Sequence, residues 1–236
     1  MQAHCKTGIE WIYADCGKFN LKAIIQVRRL MYQWEILNRD KNELINRIFQ
    51  TQTNYNNTGD WVRLVQADKQ ELEIDLTDEE IQGVSKFTFK SYVKKKVTIN
   101  HLKYLESLKK KHSKAEHLNC SELKQADYLH DQNFSTHEKR LLFKLRSKTI
   151  DVKQNFPGLN KDMWCTSCGL FPENQSHLLQ CPALVVHLGY LAGETSTLNE
   201  NYIYGSTEQK RSIVKIFSDI LEVRDNLQQK MRDLEK

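Results

Sequence analysis

Apolar side chains recur at spacings of three and four along most of the chain, the period of helices that turn one face inward. In Leu21–Leu37 the stripe is Leu21, Ile24, Ile25, Arg28, Met31, Trp34 and Leu37, with Arg28 as its one polar member. Residues 42–52 predict a second helix with Leu44, Ile45, Ile48 and Phe49 inward. Turn residues at 54–59 break it, and Asp60 is placed to cap a third helix carrying Trp61, Leu64, Val65 and Leu72. Thr77-Asp78-Glu79-Glu80 has the spacing of a capping box and sets three acids where the helix dipole favours them. Ser135 is placed to cap a helix over 138–146, with Leu141, Leu142 and Leu145 on one side. Ser206-Thr207-Glu208-Gln209 is a second capping box. Beyond it Ile213, Phe217, Ile220, Arg224, Leu227, Met231 and Leu234 alternate by four and three, a heptad seam. That seam predicts either a dimerising coiled coil or a helix packed on its own domain. An arginine within so short a seam favours the second. The expected fold class is mainly α.

Charge changes the picture because it is unevenly spread. Residues 86–148 carry sixteen basic and six acidic side chains, while residues 60–85 carry two and eight. A block of net charge +10 is the footprint of a polyanion binder, or else a solvated lysine-rich face. Lys86, Lys90 and Lys94 line one helix face, and Arg140, Lys144 and Lys148 another.

The densest chemistry lies later, in Cys165, Cys168, His177 and Cys181, spaced C-x2-C-x8-H-x3-C. Three thiolates and an imidazole supply the soft ligand set and the count of a closed tetrahedral zinc site. Gly169 relieves the turn after the second sulfur, and His177 and Cys181 are one helical turn apart. Four protein ligands leave no position for a reacting water, which points to a structural metal. The other three cysteines, Cys5, Cys16 and Cys120, are scattered, so no disulfide framework is indicated. The first residues have no apolar signal core, and the uncharged stretch 174–193 is too polar to span a membrane. The expectation is an intracellular protein, nuclear or cytoplasmic, neither secreted nor membrane-bound.

Enzymatic motifs are sparse. There is no phosphate-binding glycine loop, no G-x-S-x-G and no H-E-x-x-H. Tyr13-Ala14-Asp15-Cys16 is similar to the Tyr-Ala-Asp-Asp turn of reverse transcriptases, but cysteine replaces the second acid. Two-metal phosphoryl transfer needs clustered carboxylates, so polymerase activity is not expected.

Taken with the cysteine cluster, three segments carry a family resemblance. They are residues 24–37 with Asn42-Glu43-Leu44-Ile45 and Gly59-Asp60-Trp61-Val62, then Leu141-Leu142-Phe143-Lys144-Leu145-Arg146-Ser147-Lys148, then the knuckle from Trp164 to Pro182. The chain resembles the C-terminal part of a non-LTR (LINE-like) retrotransposon polyprotein, downstream of the reverse transcriptase palm. His177-x3-Cys181 is one residue tighter than the family's common H-x4-C. The resemblance implies a helical thumb- or linker-like region at 1–115, a basic helix plus CCHC knuckle at 116–190, and a C-terminal helix at 191–236. It implies that the family's endonuclease and palm would precede residue 1, leaving a non-catalytic fragment. The expected cofactor is zinc, and the expected partner is RNA or single-stranded DNA. Arg140, Lys144, Arg146 and Lys148 would contact phosphates, while Trp164 and Phe171 would either stack on bases or cap the metal. The competing expectations are a protein-interaction scaffold that self-associates through residues 206–236, and a relic with no selected role.

Overall fold

The computed structural model describes residues 8–55, 60–111, 120–156, 162–188 and 200–234. It is mainly α: among the described residues there is no strand, only the isolated bridges Cys16 to Gln125 and Trp164 to Pro172. No described helix is long and apolar enough to cross a membrane. Contacts divide the chain into two compact units, residues 12–125 and residues 126–236 together with 1–11.

The first unit is built from α2 (Leu21–Leu37), α3 (Leu44–Tyr55), α4 (Trp61–Glu71), α5 (Asp78–Gly83) and α6 (Lys86–Lys111), preceded by α1 (Ile9–Asp15), which straddles the boundary. Tyr13, Ala14 and Asp15 therefore close a helix. Asn20 caps α2 by accepting the Ala23 amide, and Thr77 with Glu80 forms the expected capping box on α5. Asp60 precedes α4 but makes no side-chain cap.

The core of this unit joins Ala23, Leu30, Val65, Leu72, Ile74, Ile81, Phe89, Val93 and Val97. The buried face of α2 is not the expected stripe. Ala23, Gln26, Leu30, Gln33 and Ile36 are buried, whereas Leu21, Ile24, Ile25 and Arg28 are exposed. The cause is polar: Gln26 donates to Glu71 at 3.1 Å and Gln33 to Asp78 at 3.0 Å. These donated bonds offset part of the cost of burying the two amides, although Gln33 Oε1 is left without a partner. On α3, likewise, Phe49 and Asn46 face inward and Leu44 and Ile48 outward, because the Asn46 amide caps the Arg39 and Asp40 carbonyls. On α6 the inward stripe is Phe89, Val93, Val97, His101 and Leu105, and Lys86, Lys90, Lys94 and Lys95 are solvated.

The second unit holds α7 (Asp127–His130), α8 (Thr136–Arg146), a 3-10 turn at Lys153–Asn155, α9 (Gln175–Gln180), α10 (Pro182–Leu188), a 3-10 turn at Glu200–Tyr204 and α11 (Thr207–Leu234). Ser135 and Glu138 form a full capping box on α8, and Ser206 and Gln209 form the one expected on α11. Residues 157–161, including Pro157-Gly158, lie outside the described residues. The long helix α11 packs on α8, α9, α10 and the second 3-10 turn. Ile213, Val214, Ile216, Phe217, Ile220 and Arg224 are buried there. The knuckle segment and the final helix, read from sequence as separate segments, belong to one unit.

Candidate metal centre

The cysteine segment is shaped by its backbone before any ligand arrives. The Cys165 amide donates to the Phe171 carbonyl and the Glu173 amide to the Met163 carbonyl, each at 2.7 Å, framing the Trp164–Pro172 bridge. Between them the Gly169 amide donates to the Cys165 carbonyl at 2.8 Å, and Gly169 adopts φ +66°. A β-carbon there would meet nothing within 4 Å, so it is the left-handed backbone that calls for glycine. Asn174 caps α9 by accepting the His177 amide at 2.7 Å, which fixes the turn carrying the imidazole. Cys181 follows α9 directly, and Pro182 starts α10 at the position where a missing N–H costs nothing.

These elements bring together the four residues that the spacing singled out. The Cys165, Cys168 and Cys181 sulfurs and a His177 ring nitrogen all lie within 4.8 Å of one another. Cys165 Sγ is 3.8 Å from Cys181 Sγ, and Cys168 Sγ is 3.4 Å from His177 Nε2. The corners of a tetrahedron with about 2.3 Å to sulfur and about 2.0 Å to nitrogen stand about 3.8 Å (S–S) and about 3.5 Å (S–N) apart. The group could hold a metal ion, and its donors and spacings are compatible with zinc.

The electrostatics of the cluster favour a cation. Burial pushes the Cys181 thiol up to about 12, opposed by the Leu184 amide and reinforced by the crowding of Cys165 and Cys168. Burial also raises Cys168, but the Leu170 and Phe171 amides and the neighbouring thiols outweigh it, and the net shift is downward. Burial lowers His177 against the pull of Glu173, keeping the imidazole in the neutral form that ligates metal. Crowded sulfurs that resist carrying several negative charges are what a divalent ion relieves.

Behind the ligands lies a buried polar group that sequence reasoning missed. The carboxylate of Glu173 accepts from the Thr166 amide at 3.2 Å and its hydroxyl at 2.9 Å, and Arg224 approaches it at 3.5 Å. Arg224 also donates to the Asp151 carbonyl and to Asp225, and Gln228 donates to the Thr166 hydroxyl at 3.1 Å. The charged member of the heptad seam is thus a brace from α11 to the knuckle. The signal available in sequence was its misfit: a lone arginine among Ile213, Phe217 and Ile220.

The residues expected to meet nucleic acid fall into three settings. Arg140 and Lys144 are exposed on α8, and Lys148 is half-buried at φ +50°. Arg146 is buried, its guanidinium 5.4 Å from the Tyr128 ring and 5.0 Å from the Tyr204 ring. Stacked between two aromatics, it is turned away from the phosphates it was expected to contact. Trp164 and Phe171 are 54% and 53% exposed, and Leu170 beside them is 60% exposed. Phe171 also lies 5.6 Å from the His177 ring, so it covers one side of a ligand while leaving half its surface in solvent. Set against protein-family profiles, curated proteins and solved structures, the chain matches none.

Proposed function

We propose that the chain is a non-catalytic, zinc-dependent nucleic-acid-binding protein, its knuckle held by Cys165, Cys168, His177 and Cys181. The observation that carries this reading is the pairing of that quartet with the half-exposed aromatics Trp164 and Phe171. Large apolar groups left in solvent around a built site mark a surface meant to be covered, and unpaired bases stack on such rings. The exposed Arg140 and Lys144 of the same unit supply phosphate contacts. Zinc contributes folding free energy, on the order of 10 kcal/mol for small knuckles. A saturated Cys3His set leaves no open coordination position, which supports a structural ion over a hydrolytic one. The resemblance to the C-terminal part of a LINE-like reverse transcriptase agrees with this reading and implies RNA or single-stranded DNA as the strand. The scaffold alternative needs the 206–236 helix to be available, yet its first half is packed within its own unit.

The test pairs metal content with strand binding. Purified protein is expected to carry one zinc per chain and to bind single-stranded RNA or DNA with strong salt dependence. The Cys168→Ser chain should lose both. Folded, metal-free wild-type protein, or binding indifferent to salt, would overturn the assignment.

A further inference from the structure

Away from the knuckle, α6 of the first unit has a face that the fold does not use. Its inward stripe is Phe89, Val93, Val97, His101 and Leu105. On the outward side Phe87, Lys90 and Lys94 stand at i, i+3 and i+7, with Ser91 among them, and all four are exposed. Phe87 is 83% exposed, more than any other large apolar side chain described. A ring left in water beside lysines contributes nothing to the core.

The charge of this helix is one-sided. Residues 84–105 contain six lysines and no aspartate or glutamate. Three of the six are engaged. Lys86 pairs with Glu35 at 2.7 Å and lies over the Trp34 ring, Lys96 donates to the Glu73 carbonyl, and Lys103 pairs with the Glu73 carboxylate. Lys90, Lys94 and Lys95 form no ion pair among the described residues. Lys86, Lys90 and Lys94 also follow one another at i, i+4, where like charges repel and cost stability. Elsewhere in this unit exposed cations are balanced at that spacing, Arg39 by Glu43 and Lys110 by Glu106.

The shape of the face selects among anionic partners. A helix lying on a membrane, or docking a partner helix, presents a continuous apolar stripe. Here there is a single ring, with Ser91 and Thr98 where such a stripe would continue. A strand of nucleic acid needs the combination present: ammonium groups for its phosphates and an aromatic face for an unpaired base. Lys90 and Lys94 are about 6 Å apart along the helix axis, and Phe87 precedes them by just under a turn.

We infer that this face of α6 binds single-stranded nucleic acid, with an unpaired base stacked on Phe87 and phosphates on Lys90 and Lys94. The surface lies wholly within the first unit, so it is a second strand contact that does not depend on the metal centre.

The experiment uses the full chain supplied with zinc and a twelve-nucleotide strand, as RNA and as DNA, carrying 5-iodouracil. Light cross-links that base to a ring stacked on it, and peptide mapping locates the bond. A cross-link on Phe87 is expected with at least one of the two strands and should be suppressed when the strand is annealed into a duplex. Phe87→Ala should weaken binding about tenfold with an unchanged salt slope. Lys90→Glu with Lys94→Glu should lower the slope of log affinity against log salt by about 1.4, with no fall in Tm. Cys168→Ser should spare the Phe87 cross-link, which separates this surface from the knuckle. Unaltered binding by the α6 variants while Cys168→Ser abolishes it would leave the knuckle as the sole contact and overturn this inference alone. So would absence of label at Phe87, its loss in Cys168→Ser, or tighter binding of duplex, polyglutamate or phosphatidylserine vesicles that the same α6 variants weaken.

Discussion

Arg224 Nη1 stands 3.5 Å from Glu173 Oε1, and the two side chains are only 6% and 3% exposed. One comes from the last helix and the other from the segment between Cys168 and His177. Removing one partner of such a pair leaves a charge buried without compensation, at a cost of about 3–5 kcal/mol. Arg224→Met is therefore expected to lower the unfolding free energy of the zinc-loaded protein, read from urea titration, by that amount. The double variant Arg224→Met with Glu173→Gln should recover much of the loss. Equal stability of wild type and the single variant would show that the brace contributes nothing.

Metal binding should be strongly pH-dependent, because the ligands must give up protons to the solvent. Burial and its neighbours hold the Cys181 thiol at about 12, so near neutral pH it is protonated until an ion displaces the proton. Affinity should then rise with pH, by roughly tenfold per unit for each proton displaced. Competition with a chromogenic chelator at pH 6, 7 and 8 measures the slope. A flat profile would mean that the thiols are not the ligands.

Much of this architecture was legible because it is written in local spacing. The capping residues Thr77, Ser135 and Ser206, the bounds of α2 and the convergence of Cys165, Cys168, His177 and Cys181 depend on neighbours within a few positions. What escaped depends on partners far along the chain. An apolar stripe assumes that polar residues face water, yet Gln26 and Gln33 are buried by acids 45 residues away and displace Ile24 and Ile25 to the surface. Arg146 and Arg224 look like phosphate hooks or seam defects until Tyr204 and Glu173 are brought beside them. Side-chain pairs of that kind leave no periodic trace.

The split among the basic residues of α8 gives opposite mutational signatures. Arg140→Glu with Lys144→Glu should leave the melting temperature near wild type and weaken RNA binding. The slope of log affinity against log salt should fall by about 1.4, at roughly 0.7 per phosphate contact on a single strand. Arg146→Ala should instead destabilise the protein by about 2 kcal/mol or more, because a desolvated guanidinium leaves two aromatic faces. Filter binding across a salt series, run beside thermal melts, distinguishes them. A destabilised charge-reversal pair or a fully stable Arg146→Ala would contradict the placement of these side chains.

The heptad seam of α11 predicts a monomer. Ile213, Phe217, Ile220 and Arg224 are buried against the helix's own unit, which leaves less than a heptad pair of the seam to meet a second chain. Sedimentation equilibrium at tens of micromolar should therefore give the mass of one chain, 27.8 kDa. A dimer that dissociates on Leu227→Glu would show that the distal turns pair after all.

His101 gives the first unit a pH response with a definite sign. Burial lowers its pKa below the ordinary 6.5, so the folded unit binds fewer protons than the unfolded chain once the pH falls under that value. Its contribution to stability is full above pH 6.5 and is lost progressively as pH falls through the lowered folded-state pKa. Glu71 lines a cleft with His101, but its carboxylate is held below its usual range despite the desolvation that opposes this, by hydrogen bonds from Lys22, Asn100 and Gln26. Its titration therefore begins lower, and the fall just below pH 6.5 belongs to the imidazole. Hydrogen exchange at the α6 amides reports this unit separately from the knuckle. Wild-type protection there should decrease from pH 7 to pH 5.5 after correction for intrinsic exchange, and His101→Phe should be flat over the same range. A variant that loses protection as steeply as the wild type would assign the acid sensitivity to another group.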